Sequence, residues 1–295
     1  MSLGVYAAVL TPFADDGALA LPRVPDYLAF LLDHGVSGLL VLGTNGEFAS
    51  LAVGEREAVL EAYVEAAAGR LPVVVNIGAT VEQDVLALAR HARHVGADGA
   101  ALLPPYYYPL TDAGFTALVE AAVAAFGDAL YLYNIPRYTG YAIPADVVAD
   151  CADRGLARGL KDSSQDLAYF AEVRARVPGA ELFVGSDTTL LEGLQAGADG
   201  VVSGLANTYP DLVVAVYRAF LSGAPELEGW RERLLAVRRL FGGYPYLAAT
   251  RHALHLRGVR LGPPRRPLVP VPEDERTALG VALADLHRAL EEGRP

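Results

Sequence analysis

Lysine is almost missing from this chain. Of 24 basic side chains only Lys161 is a lysine, and the other 23 are arginine. Two readings follow. A coding bias removed lysine and left one behind, or Lys161 does something arginine cannot. Arginine stays charged, whereas a buried lysine can lose its proton and act as nucleophile or base. Composition leaves both open. Cysteine is equally scarce. The single Cys151 can form no internal disulfide, so a reducing, cytoplasmic setting is expected. No apolar run reaches about 18 residues, so no membrane-spanning helix is expected. Met1–Tyr6 lacks a basic stretch followed by an apolar core, so no signal peptide is expected. Positive charge is also short. A net charge of −11 argues against nucleic acid or an anionic membrane as partner. It leaves room for an anionic small substrate at a local site.

What is present is alternation. The chain is 53% hydrophobic, enough for a large core. Short apolar runs read as strands at Val5–Leu10, Gly38–Leu42, Val73–Ile77, Gly99–Leu103, Ala129–Tyr133, Ala157–Leu160, Leu182–Val184 and Gly200–Val202. Segments of helical period follow each, at Pro22–His34, Val53–Ala68, Val81–Val95, Asp112–Phe126, Pro144–Arg154, Asp166–Val177, Thr188–Ala196 and Tyr209–Leu221. Gly35, Gly69, Gly96, Gly127, Gly155, Gly179, Gly197 and Gly223 punctuate their ends. Eight strand–helix units predict an α/β fold, a (β/α)8 TIM barrel over residues 1–223, with a doubly wound open sheet as the alternative. Residues 224–295 read as a C-terminal helical extension packed on the barrel, with helices near Glu226–Phe241, Tyr246–Leu256 and Glu273–Glu291. A proline-rich link at 263–272 precedes the last. This extension is expected to be an appendage and not a second catalytic domain.

Active sites of such barrels lie at the C-terminal ends of the strands. Those ends read Thr11-Pro12, Gly43-Thr44-Asn45-Gly46-Glu47, Gly78, Pro104-Pro105-Tyr106-Tyr107, Asn134-Ile135-Pro136, Lys161-Asp162, Gly185-Ser186-Asp187 and Ser203-Gly204. Side-chain alternation puts Tyr131 and Tyr133 inside the barrel, and Ala157, Gly159 and Lys161 on one face of the sixth strand. The small residues below Lys161 leave room for its stem, and Asp162 points away. A lysine in an apolar pocket without a close carboxylate titrates below its ordinary value. Its neutral amine can attack a ketone and form a Schiff base. The alternative is a lysine reaching out to a surface ion pair.

Two further stretches carry open readings. Gly43-Thr44-Asn45-Gly46-Glu47 can turn backbone N–H groups toward an anion such as a carboxylate, or it is an ordinary strand–helix turn. It does not match a nucleotide-binding loop. Pro104-Pro105-Tyr106-Tyr107-Tyr108-Pro109 is a stiff aromatic loop that either packs or, through a hydroxyl, relays protons. No metal site is expected. The six histidines, His34, His91, His94, His252, His255 and His287, fall on predicted helices or their ends, and Cys151 lacks a histidine partner at a strand end.

With these residues in view, the chain resembles the dihydrodipicolinate synthase / N-acetylneuraminate lyase family of class I, Schiff-base aldolases. The resemblance runs from Leu10-Thr11-Pro12-Phe13 into the C-terminal helices. It rests on G-T-N-G-E at 43–47, P-Y-Y at 105–107, Y-N-I-P at 133–136, G-L-K-D at 159–162 and G-S-D at 185–187. It implies a TIM barrel with C-terminal helices, usually a homotetramer built as a dimer of dimers, acting on pyruvate and an aldehyde with no cofactor beyond the imine itself. It makes Lys161 similar to the pyruvate-binding lysine and Tyr133 to the tyrosine that, with Thr44 and Tyr107, moves the proton in catalysis. Thr44 and Asn45 match positions that hold the pyruvate carboxylate, and Gly185 and Val202 match positions lining its pocket. Tyr107 matches a tyrosine that reaches a neighbouring subunit's site in several members. The family's synthases place an arginine where this chain has Tyr138, with Arg137 one residue early. That shift is expected to turn the arginine elsewhere and give Tyr138 the second substrate. Lys161–Ala168 looks more like the 2-keto-3-deoxygluconate aldolases, and G-x-N-G-E-F like the 4-hydroxy-2-oxoglutarate aldolases. The resemblance therefore implies an aldolase for such a 2-keto acid. The alternatives are 4-hydroxy-tetrahydrodipicolinate (dihydrodipicolinate) synthase or a sugar-acid dehydratase, and, in another class, a non-catalytic ketoacid-binding barrel.

Overall fold

A computed structural model describes residues 4–292. Eight parallel strands close a barrel in chain order. They are β1 Val5–Ala8, β2 Gly38–Val41, β3 Val73–Asn76, β4 Gly99–Leu102, β5 Leu130–Asn134, β6 Ala157–Asp162, β7 Glu181–Val184 and β8 Gly200–Ser203. β8 closes on β1, with Tyr6 opposite Val202. The strands are buried on both faces, which is why they read as near-continuous apolar runs such as Val73-Val74-Val75.

Helices follow the strands: α1 Val24–Asp33, α2 Val53–Ala67, α3 Glu82–His94, α4 Asp112–Phe126, the short α5 Pro136–Thr139 at the barrel mouth, α6 Ala145–Asp153, α7 Leu167–Arg176, α8 Leu190–Gln195 and α9 Pro210–Ser222. Their starts are capped locally. Thr111 accepts a hydrogen bond from Gly114 N at 3.1 Å, and Asp166 accepts one from Tyr169 N at 3.0 Å. Seven of the eight punctuating glycines take the positive φ that ends a helix; Gly179 does not. There α7 has already stopped at Arg176, two residues before Pro178. Three helices follow: α10 Leu227–Gly242, α11 Tyr246–Leu256 and α12 Glu273–Glu292. α10 packs on α9, and α11 packs on α10, α12 and the turn Leu205–Asn207 after β8. Among the described residues no helix is long and apolar enough to cross a membrane.

The barrel floor is filled by Tyr6, Leu40, Val74, Ala101, Tyr131, Phe183 and Val202, with Ala8. Tyr6 and Tyr131 both meet the Phe183 ring edge-on, at 5.3 and 5.8 Å between centroids. Glycines make that fit possible. A Cβ on Gly38 would lie 2.2 Å from the Tyr6 ring, and one on Gly200 would lie 2.6 Å from Phe183.

The barrel expected from the sequence is the barrel observed, with element ends shifted by a residue or two and three local corrections that bear on the site. β2 stops at Val41 because Leu42 turns to φ 59°. β6 runs on to Asp162, so Lys161 sits within the strand and not after it. Residues Pro136–Thr139, read as a loop, form the helical turn α5.

Candidate active site

β5 and β6 pair residue to residue at their upper ends, Tyr133 with Lys161 and Asn134 with Asp162. The first pair faces the barrel mouth. Lys161 Nζ lies 3.5 Å from the centre of the Tyr133 ring, and Tyr133 Oη lies 3.2 Å from Thr44 Oγ1. The three side chains form a line across the mouth from β6 through β5 to the loop after β2. Lys161 is only 6% exposed. Burial holds its amine below the ordinary lysine value, against smaller opposing pulls from Tyr133, Asp162 and Asp187.

Asp162 turns away, as strand alternation requires. Its carboxylate accepts hydrogen bonds from Asn134 Nδ2 at 2.7 Å and Ser164 Oγ at 2.8 Å. The room for the lysine stem comes from elsewhere than expected. The space beside Gly159 is closed by Glu181 O and the Tyr131 ring, 2.0 and 3.1 Å from where a Cβ would stand. Gly185 is the residue that makes way: a Cβ there would lie 3.1 Å from Lys161 Cε.

The loop after β2 is a 3-10 turn, Thr44–Gly46, between two non-glycine residues in the left-handed region, Leu42 (φ 59°) and Glu47 (φ 57°). Such conformations cost about 1–3 kcal/mol each and persist when their surroundings over-determine them. Here Asn76 Nδ2 donates to Leu42 O at 2.9 Å. Glu47, 4% exposed, pairs with Arg251 of α11 at 2.6 Å. Thr11 Oγ1 donates to Gly46 O at 2.6 Å.

The opposite wall is built by β7, β8 and the C-terminal helices. Buried Asp187 accepts hydrogen bonds from Ser203 Oγ and from Leu205 N, the latter at 3.0 Å. Burial pushes its carboxyl above the usual aspartate value, with those bonds pulling the other way. Arg238 of α10 lies over the ring of Tyr246 of α11, 4.9 Å from its centre. Its positive charge reaches the buried Asp187 carboxylate and also pulls that group's pKa down against burial.

Together these elements enclose a cavity of about 310 Å³. Of the residues singled out from the sequence, Lys161, Tyr133, Thr44, Asn45, Gly185, Val202 and Tyr138 all line it. Tyr107 does not. It is 86% exposed, has φ 100°, and its ring meets Tyr108 edge-on at 5.0 Å. Its neighbour Tyr106 turns inward instead and packs on Phe48. Arg137 was expected to point elsewhere because it stands one residue early. In the helical turn α5 neighbouring side chains diverge by about 100° and do not alternate, so Arg137 and Tyr138 line the same cavity. A larger groove of about 640 Å³ lies on the outer wall near His34 and Trp230 and contains none of the strand-end groups.

The sequence reading missed Arg238, Tyr246 and the Glu47–Arg251 pair. Helical periodicity shows that α10 and α11 have apolar faces, but not that they lie over the barrel mouth. The C-terminal helices are therefore more than an appendage, because they supply part of the cavity wall. Asp187 was visible at its strand end but carried no signal of its burial. No three His, Cys, Asp or Glu side chains among the described residues gather as a metal-holding group.

A model of the dihydrodipicolinate synthetase family matches residues 1–286. An uncharacterized DapA-like lyase of Halobacterium salinarum is 37% identical over 284 residues, covering 96% of this chain and 93% of the relative. A 4-hydroxy-tetrahydrodipicolinate synthase of an Exiguobacterium species is 34% identical over 273 residues, covering 92% and 93%. Among solved structures, YagE of E. coli K12, a prophage protein of the dihydrodipicolinic acid synthase family in complex with pyruvate, superposes with TM-score 0.92. It is 27% identical, with 97% of this chain and 98% of that one covered.

Proposed function

The chain belongs to the dihydrodipicolinate synthetase family and is a pyruvate-dependent lyase; within that class we propose an aldolase whose bond-forming amine is Lys161. The observation that carries this reading is the buried Lys161 amine, held below its ordinary pKa and set against Tyr133, whose hydroxyl meets Thr44. A neutral amine there attacks the C2 ketone of a 2-keto acid, and loss of water leaves an imine. Thr44 and Asn45 receive the substrate carboxylate, and Gly185 and Val202 bound the three-carbon unit. Tyr133 takes the proton of the C4 hydroxyl as the C3–C4 bond breaks and the aldehyde leaves. The electron pair passes into the imine to give an enamine. Protonation at C3 and hydrolysis then release pyruvate and free the amine. The imine is its own electron sink, so the mechanism calls on no added cofactor.

For the cleaved substrate we favour a 2-keto-3-deoxy sugar acid or 4-hydroxy-2-oxoglutarate. Arg238, Arg137, Gln165, Ser163 and Thr188 around the outer cavity suit hydroxyl and carboxylate groups, and Tyr138 stands at its rim. Tyr107 is assigned to the site of a second copy in a homotetramer, since its exposed, outward setting serves no site in its own chain. One observation favours a second reading. Arg137 reaches the cavity after all, which suits a synthase condensing pyruvate with aspartate semialdehyde, or a dehydratase, by the same imine chemistry. The test has two steps. Incubation with pyruvate and borohydride should leave a reduced three-carbon adduct on the peptide containing Lys161; an unmodified peptide rejects the mechanism. Product analysis with a panel of 2-keto-3-deoxy acids, against pyruvate plus aspartate semialdehyde, then decides the substrate.

A further inference from the structure

The loop that carries Thr44 and Asn45 is held at its far end by residues more than 200 positions away. The carboxylate of Glu47 is buried. Its Oε1 accepts from Arg251 Nη2 at 2.6 Å and Nε at 3.1 Å, and its Oε2 accepts from Arg265 N at 2.8 Å. Both arginines are themselves anchored. Arg251 Nη2 donates to Thr11 O at 2.8 Å, and the Thr11 hydroxyl returns to the loop at Gly46 O. Arg265 grips Glu55 of α2 through two 2.7 Å contacts. Glu47 thus keeps its left-handed backbone because two C-terminal residues hold its side chain, one on α11 and one on the link before α12.

We propose that the Glu47–Arg251 pair, with Arg265, is a positioning device for the ketoacid-carboxylate loop, through which the C-terminal segment sets affinity for the ketoacid without touching it. The inference rests on the reading that Thr44 and Asn45 receive the substrate carboxylate. Its physical basis is geometric. A carboxylate held by few donors loses binding when they shift by about an ångström. A left-handed glutamate released from its partners relaxes toward the common backbone regions and carries Asn45 and Thr44 with it. Lys161 on β6 stands outside the network, and Tyr133 on β5 meets it only through its hydroxyl at Thr44. The defect therefore falls mainly on ketoacid binding and less on imine formation at saturation.

Pyruvate trapping by borohydride reads this without knowledge of the second substrate. In Glu47→Gln and Arg251→Met the half-saturating pyruvate concentration should rise about tenfold or more, with the trapping rate at saturation within about threefold of the parent. Arg251→Lys, which keeps the charge but not the fork, should recover part of the loss. Arg265→Ala keeps the backbone N–H that Glu47 accepts from but frees the link from Glu55 and Gly17, so it should give a smaller rise in the same direction; Glu47→Gln decides the matter if the Arg251 variants do not fold. Arg174→Ala is the control. It breaks the Arg174–Asp199 pair at the foot of β8 and should lower thermal stability with half-saturation unchanged. Failure of the parent protein to trap pyruvate removes the carboxylate reading and the inference together. A trapped parent with unchanged half-saturation in folded Glu47→Gln and Arg265→Ala overturns the inference alone.

Discussion

Tyr133 and Lys161 are cross-strand partners, and their pairing sets the amine 3.5 Å above the centre of the tyrosine ring. A ring face attracts a cation and so favours the charged amine. Burial opposes it and is the larger effect, leaving the amine below its ordinary value. The ring thus fixes the position of a nitrogen that its surroundings keep reactive, while the hydroxyl points to Thr44.

Ring and hydroxyl can be separated by experiment. Tyr133→Phe keeps the face that positions Lys161 and removes the proton carrier. Pyruvate should still be trapped on Lys161, while aldol turnover falls about 10²- to 10⁴-fold, the range for loss of a general acid–base group. Mass spectrometry of the reduced adduct and the rate of aldehyde release check the two halves. Loss of both together would mean that the hydroxyl takes part in imine formation itself.

Lys161→Met tests the buried amine from the side of stability. It should abolish the adduct and lower turnover roughly 10³-fold or more, as loss of a covalent nucleophile does. It should also stabilise the fold at neutral pH. The folded-state pKa of Lys161 is depressed, so between that value and the unfolded value of about 10.4 the unfolded chain holds a proton that the native chain does not. Stability then rises with pH across that window, and the parent carries its full deficit below it. The Tm advantage of Lys161→Met should therefore shrink as pH rises toward the unfolded value. An advantage constant with pH would place the cause in packing.

The lysine, its strand partner and the barrel were legible because each depends on short-range pattern. Alternation fixed which way Tyr133 and Lys161 face, and eight repeats of strand and helix leave few topologies. What escaped depends on contacts between distant segments. Nothing near Arg238 or Arg251 shows that α10 and α11 roof the mouth. The direction of Arg137 was misjudged because strand alternation was carried into a turn that is helical. Tyr107 lies outside its own chain's cavity, and a single chain holds no second copy for it to reach.

Arg238 should act on the outer half of the substrate alone. Its guanidinium lines the cavity, and a hydrogen bond to a charged group contributes about 1.5–3 kcal/mol. Arg238→Gln should raise KM for the full 2-keto acid by about tenfold or more on that scale, with half-saturation by pyruvate unchanged. An equal loss for both ligands would place Arg238 at the three-carbon unit instead.

Gly159 and Gly185 give opposite outcomes from the same added methyl group. At Gly159 the Cβ would stand 2.0 Å from Glu181 O. That oxygen is backbone in the strand paired with β6, so the barrel itself must shift. Overpacking of this kind costs about 1–3 kcal/mol or more, and Gly159→Ala should lower Tm by several degrees or prevent folding. At Gly185 the Cβ would meet Ser163 Oγ at 2.2 Å, Asp162 O at 2.9 Å and Lys161 Cε at 3.1 Å. The serine can rotate, but the Asp162 carbonyl is backbone and must shift slightly, so some stability is lost while the fold can survive; the lysine stem must give by a few tenths of an ångström, which moves the amine from its place over Tyr133. Gly185→Ala should therefore give folded protein whose pyruvate adduct forms about tenfold more slowly or not at all, since a displacement of about an ångström costs up to about 10²-fold. Thermal melts alongside timed borohydride trapping separate the two variants. Unimpaired trapping in Gly185→Ala would show that the position of the lysine stem does not limit the reaction.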